Sequence, residues 1–307
     1  MKAWESVAAA RDLAGLEAGA DMAPFVVARP PAGTPGGPLV FASPHSGRIY
    51  PAPMMDASHL DAAAIRRSED AYVDRLIERG PAFGASTIAA RLARVFLDVN
   101  REPWELDPAM FEDELPPYAR GGGARVAAGL GAIARVVREG EEIYARKLSF
   151  AEARARVEAA HRPYHEALAG LIGEARDRHG VAILIDWHSM PAAAARQARV
   201  GAGGGAGADM VLGDRFGAAC SPALPRLVEL ELTARGYAVA RNTPFAGGYT
   251  TEHYGRPARR VHALQIEIDR ALYLDEAALA PAAGFARLKA DLEGVFAALA
   301  GADWTGF

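Results

Sequence analysis

The sequence is short of several things at once. Its 307 residues include one cysteine, Cys220, and three lysines, Lys2, Lys147 and Lys289. A single cysteine excludes an internal disulfide framework and a cysteine-based zinc finger, and it suits a reducing compartment, so a cytoplasmic location is expected. No apolar run approaches the roughly 20 residues that a membrane-spanning helix needs. The first twenty residues carry Glu5, Arg11, Asp12 and Glu17 and do not read as a secretory signal. An excess of one charge is missing too. There are 34 basic groups against 38 acidic ones, a formal net charge of −4, and nothing in that balance favours a nucleic-acid partner. With 50% hydrophobic residues the chain is not intrinsically disordered. Its length suits one large domain or two small ones. No internal repeat and no clean linker is visible, so one domain over residues 1–307 is expected, with residues 1–37 as a peripheral N-terminal extension.

What the chain has in plenty is alanine, glycine and arginine, which reads as compositional background. Residues outside that background carry more weight, and the eight histidines come first.

The start of the chain reads as an amphipathic helix, followed by a Pro/Gly-rich stretch over 29–37 that cannot be regular structure. Short apolar runs predict strands over 38–43, 86–90, 94–101, 237–241 and 263–268. Residues 181–188 place five apolar residues before Asp186-Trp187-His188, the pattern of a central strand buried on both faces. Helices are predicted over 70–79, over 149–179 and over 276–300. The second opens with a Ser149-Phe-Ala-Glu152 capping box, is kinked or divided at Pro163 and is stopped by Gly180. Residues 102–125 and 191–208 read as loops. Strands alternating with helices make this an α/β sheet protein.

Polar residues recur where buried strands end: His45, Asn100 with Arg101, Asp186 with His188, and Glu267. In open α/β sheets ligands bind outside the carboxyl ends of the strands. Two imidazoles and a carboxylate form a common ligand set for catalytic zinc. His45 and His188 offer the imidazoles, and Glu69 or Asp70 offers the carboxylate unless both only cap a helix. Asp186 can orient a ligating histidine from behind. Arg101 suits a bidentate grip on a substrate carboxylate with Asn100 beside it, or else a surface salt bridge. Glu267 points to the opposite face of its strand from Leu264, Ile266 and Ile268, as a general base or as a buried ion-pair partner. The glycine-rich run over 201–207 lacks the strand and helix that a dinucleotide site needs. Ser189 and Cys220 have no evident base beside them. His59, His161 and His179 read as surface or helix-end residues.

These residues fall in a pattern. Pro44-His45-Ser46-Gly47 with Tyr50-Pro51, Glu69-Asp70 and Val73–Leu76, and Arg94 with Asp98-Val-Asn100-Arg101, resemble the N-formylglutamate amidohydrolase family. So do Arg162-Pro-Tyr-His165, Asp186-Trp-His188-Ser189, 245–248, 251–255 and Gln265-Ile-Glu267, in the family's order over about residues 40–275. The family is similar in fold to zinc carboxypeptidases and aspartoacylases, which implies a three-layer α/β architecture: a mixed sheet flanked by helices, with one metal at the strand ends.

The resemblance implies a zinc-dependent amidohydrolase that cleaves N-formyl-L-glutamate to formate and glutamate, with one zinc per chain. The related His-x-x-Glu ligand pair is absent here, because the third residue after His45 is Arg48. The resemblance therefore favours Asp70 over Glu69 beside His45 and His188. It assigns Glu267 as general base and Asn100 and Arg101 to the substrate carboxylate. Gly247, Gly248 and Thr251 are placed at the substrate and His253 at the oxyanion; Asp186, His165 and His262 surround them. The family name carries with it a role in histidine degradation. Two alternatives stand beside this: a metallo-amidase for another N-acyl amino acid, and a homologue that binds small molecules without catalysis. Nothing in the sequence speaks to oligomeric state.

Overall fold

The computed structural model describes residues 10–12, 23–119, 121–138, 140–200, 205–304 and 306. Two compact units are present, one made of 27–43, 70–89 and 168–307, the other of 1–26, 44–69 and 90–167. Among the described residues no helix is long and apolar enough to cross a membrane.

A seven-stranded mixed sheet flanked by helices organises the first unit. Its strands are β1 (Phe25–Ala28), β2 (Leu39–Ser43), β3 (Ser86–Ala90), β4 (Ala182–Met190), β5 (Met210–Gly213), β6 (Val239–Arg241) and β7 (Val261–Asp269), in the spatial order β6-β5-β7-β4-β2-β3-β1. β7, β4, β2 and β3 are parallel neighbours, whereas β5 is antiparallel to β7. The edge strand β1 lies inside the stretch expected as a peripheral extension.

Period-two alternation divides β4 and β7 into two faces. Ile183, Ile185 and Trp187, with Leu264, Ile266 and Ile268, belong to the main apolar core. The helices α3 (Ala223–Ala234) and α5 (Phe285–Gly301) join that core through Leu224, Val228 and Leu232 and through Leu288, Leu292, Val295, Phe296 and Leu299. These i, i+4 stripes are what an amphipathic helix offers a sheet. Phe41 meets Trp187 edge-on at 5.7 Å and Phe296 at 5.0 Å. Each such side chain contributes about 1.5–3 kcal/mol on burial. The other face of the same two strands carries Asp186, His188, Gln265 and Glu267, and register sets Gln265 beside Asp186 and Glu267 beside His188.

The second unit has little regular structure, and its core gathers Tyr50, Phe96, Leu106, Phe111, Ile133 and Leu148 among others. Ser149 caps α1 (Phe150–Arg156) through the predicted capping box. The kink predicted near Pro163 is a π-turn over Val157–His161, which leads into α2 (Arg162–His179). There the Arg162 amide reaches back five residues to the Val157 carbonyl. Pro163 has no amide to continue the ladder and crowds the preceding turn, and a wider turn relieves both.

The structure differs from expectation in several places. Residues 94–101 are turns, not a strand, because the Asp98 carboxylate captures the Asn100 amide at 2.8 Å and the Asp98 carbonyl takes the Arg101 amide. Of 70–79 only Val73–Leu76 is helical, after Tyr72 in the left-handed region at φ 63°. The last helix begins at Phe285, after Ala280–Pro281 pairs with Leu274–Asp275. Of the expected N-terminal helix only 10–12 lie among the described residues, and they pair as a strand with Ile49–Pro51. Within the glycine-rich run, 201–204 lie outside the described residues, and Gly205–Ala206 pairs with Arg199–Val200.

Candidate active site

The polar face of β4 and β7 is a linked set of side chains. His188 donates from Nε2 to Asp186 Oδ2 at 3.0 Å, and its Nδ1 lies 3.1 Å from Asp70 Oδ2. Asp70 Oδ1 accepts from Arg270 Nη2 at 3.0 Å, and Arg270 Nε donates to Ser189 Oγ at 3.1 Å. All of these groups are buried. Burial disfavours a charged imidazole, yet Asp186, Asp70 and Glu267 outweigh it and push His188 well above the ordinary histidine pKa. Such a surplus of carboxylate around one imidazole is what a cation neutralises. Glu267 is held in turn: Gln265 Nε2 donates to its Oε1 at 2.8 Å, and Gln265 Oε1 accepts the Gly248 amide at 2.7 Å.

His45 follows β2 in the turn Pro44-His45-Ser46-Gly47, and a Cβ on Gly47 would collide with the Leu92 carbonyl. His45 Nε2 donates to Asp98 Oδ1 at 2.6 Å, and Arg94 Nη2 donates to Asp98 Oδ2 at 2.7 Å. Burial would raise the Asp98 pKa, but the charges of His45, Arg94 and Arg101 hold it well below the usual carboxylate range. Each histidine thus has its Nε2 engaged by a carboxylate. His45, Asp70 and His188 form a buried group in which one ligand atom from each lies within 4.8 Å of the others, and this group could hold a metal ion. Glu69, the alternative carboxylate, is engaged elsewhere. It accepts from Tyr50 Oη at 2.7 Å and from Arg66 Nε at 2.9 Å.

Asn100 is buried, whereas Arg101 is only partly so. Arg101 donates to the Leu130 and Asn100 carbonyls, both at 3.1 Å, and has no ion pair among the described residues. It is therefore not the salt-bridge arginine that its surroundings allowed. Two imidazoles support this turn from behind. His165 Nε2 donates to the Val99 carbonyl at 2.7 Å and His161 Nε2 to the Arg101 carbonyl at 2.9 Å, with ring centroids 4.2 Å apart. His161, read from the sequence as a surface or helix-end residue, is buried at the end of the π-turn.

Gly247, at φ 118°, and Gly248 precede α4 (Tyr249–Tyr254). Thr251 is wholly buried on this helix, and its hydroxyl has no partner among the described residues. His253 is exposed, stacked on Tyr249 at 5.0 Å; burial and the Arg256 charge lower its pKa. His262 does not stand with Glu267. The two are five positions apart, so His262 lies on the opposite face of β7, where Nδ1 accepts the Ser221 amide at 3.0 Å.

Sequence reasoning missed Asp98, Arg270, Gln265 and His161. The i, i+2 pair Gln265/Glu267 and the i, i+4 pair His161/His165 were the available signals for two of them.

Residues 37–274 match the N-formylglutamate amidohydrolase family model. An N-formylglutamate deformylase of Pseudomonas aeruginosa is 33% identical over 245 residues, 78% of this chain and 84% of its own length. That of Pseudomonas putida is 31% identical over 242 residues, 78% of this chain and 82% of its own. The crystal structure of N-formylglutamate amidohydrolase from Ralstonia eutropha JMP134 superposes with a TM-score of 0.84 at 39% identity, covering 91% of this chain and 98% of that one. This chain belongs to the N-formylglutamate amidohydrolase family and is a hydrolase of an amide bond.

Proposed function

We propose that the protein is a zinc-dependent N-formylglutamate deformylase, which hydrolyses the formamide of N-formyl-L-glutamate to formate and glutamate. The observation that carries this is the buried group of His45, Asp70 and His188, whose donors suit zinc: two imidazoles and one carboxylate, each fixed from behind by a further side chain. The deformylase relatives support the substrate. His45, Asp70 and His188 would hold the zinc, which would supply Lewis acidity for the formyl carbonyl and for a water of lowered pKa.

The chain's own residues do the rest. Glu267 takes the proton of the attacking water and passes it to the departing amine as the C–N bond breaks. Gln265 keeps the Glu267 carboxylate in one orientation, so that little reorganisation is needed when the proton moves. Arg101 binds the substrate α-carboxylate, and Asn100 lies beside it. Gly247 and Gly248 bring backbone close to the substrate, with Thr251 behind them. His253, whose pKa is lowered by burial and by the Arg256 charge, donates to the developing oxyanion.

Metal analysis of the purified protein tests this reading together with a panel of N-formyl and N-acetyl amino acids. About one zinc per chain, lost in His188→Ala, and highest kcat/KM on N-formyl-L-glutamate are expected. A fully active metal-free protein would overturn the zinc assignment, and a preference for another N-acyl amino acid would reassign the substrate.

A further inference from the structure

Resting on the zinc reading above, we infer that Arg270 is a positioning residue for the metal. Its guanidinium takes one oxygen of Asp70 and so fixes the carboxylate to offer the other oxygen alone.

The arrangement is built into the turn that follows β7. Asp269 ends the strand, and its carboxylate accepts the Ala271 amide at 2.9 Å to start the turn Arg270–Leu272. From there the buried Arg270 side chain donates through Nη2 to Asp70 Oδ1 at 3.0 Å and through Nε to Ser189 Oγ at 3.1 Å. Tyr273, at the end of the same turn, donates from Oη to the Ala71 carbonyl at 2.9 Å. The segment that bears Asp70 is therefore held twice, once by its side chain and once by its backbone.

That segment needs holding. Tyr72 lies in the left-handed region at φ 63°, a conformation that is costly for a bulky residue and persists only where its surroundings impose it. Its ring meets Phe285 edge-on at 6.3 Å. The two oxygens of Asp70 face different partners. Oδ1 is bound by the guanidinium, whereas Oδ2 lies 3.1 Å from His188 Nδ1, within the group of His45, Asp70 and His188. A carboxylate can give a metal one oxygen or two, and a charge-assisted hydrogen bond to one of them disfavours the second mode.

Two effects of Arg270 oppose each other. Its positive charge disfavours a cation nearby, whereas its hold on Asp70 removes ordering that binding would otherwise require. Side chains that orient metal ligands are worth about 10- to 100-fold in metal affinity, so the hold is expected to win.

Zinc affinity, measured in competition with a chromophoric chelator, tests this without turnover. Arg270→Met is expected to bind zinc about 10- to 100-fold more weakly than wild type. Arg270→Lys keeps the charge but lacks the planar fork that reaches both Asp70 and Ser189, so it should also bind zinc more weakly than wild type. It carries the test should Arg270→Met fail to fold, as circular dichroism of the metal-free protein would show. Cobalt(II) in place of zinc gives a second readout, because a second oxygen on the metal lowers the intensity of its visible bands. Weaker bands are expected in Arg270→Met, and an unchanged cobalt spectrum would overturn the inference. So would either variant binding zinc as tightly as wild type or more tightly. A wild type that binds no zinc overturns the zinc reading and this inference with it.

Discussion

The two faces of β4 and β7 use the same backbone for opposite ends. On one face Ile183, Ile185 and Trp187 lie beside Leu264, Ile266 and Ile268 in an apolar core that α3 and α5 complete. On the other face, one residue along, Asp186 and His188 lie beside Gln265 and Glu267, all buried and all hydrogen-bonded. The first face is stabilised by transfer of apolar surface from water. The second places charge where water is scarce, which is costly for folding and useful for chemistry. The comparison teaches that stability and reactivity are divided by side-chain parity and not by region.

That division can be broken from either side. The largest effect is expected from Glu267→Gln, which should lower kcat by about 100- to 10,000-fold while metal content and melting temperature stay near wild type. An unchanged kcat would assign the base elsewhere. On the apolar face, Phe296→Ala should destabilise by about 3–5 kcal/mol in a denaturant titration. Its kcat per folded molecule should be untouched, and a fall in kcat would show that the faces are coupled. Gln265→Leu is expected to lower kcat by about 10-fold or more with KM little changed, because Glu267 loses the donor that orients it. A change in KM alone would make Gln265 a substrate contact.

The smallest effect lies on neither face. Ser149→Ala should cost about 1 kcal/mol through the lost cap and leave kinetics alone. The hydrogen bond from Arg146, helped by the Ser149 amide, holds Glu152 down from 4.5 to about 2. The stability linked to that carboxylate is therefore complete above its ordinary pKa and is lost as pH falls from 4.5 towards 2. Glu152→Gln should flatten this acid limb in thermal melts, and a limb as steep as wild type would show that other carboxylates set it.

Much of the sheet was legible because strand patterning is local. Val181 to Ile185 followed by Asp-Trp-His identified a central strand, and the offset of Glu267 from its apolar neighbours identified its face. Residues 94–101 were not legible. Val95, Phe96, Leu97 and Val99 look like a strand, and only the reach of the Asp98 carboxylate to nearby amides turns the segment into loops. The helix α3 was hidden by Pro222 and Pro225, which break helix interiors but are tolerated in a first turn. Arg270 was lost in an arginine-rich background, since no local feature separates an arginine that holds Asp70 from one that faces water. The acid beside His188 could be narrowed to Glu69 or Asp70 but not chosen from spacing. The choice depends on Tyr50 and Arg66, which take up Glu69 from a distance along the chain.

The parity of β4 also governs which mutations this segment can survive. Deleting one residue between Ala182 and Asp186 would shift the register by one and turn Asp186 and His188 into the apolar core, with Trp187 facing the site. A deletion of two would restore the faces but withdraw His188 from Asp70. The strand should therefore accept replacements and refuse changes of length. Among relatives, differences in length should fall outside β4.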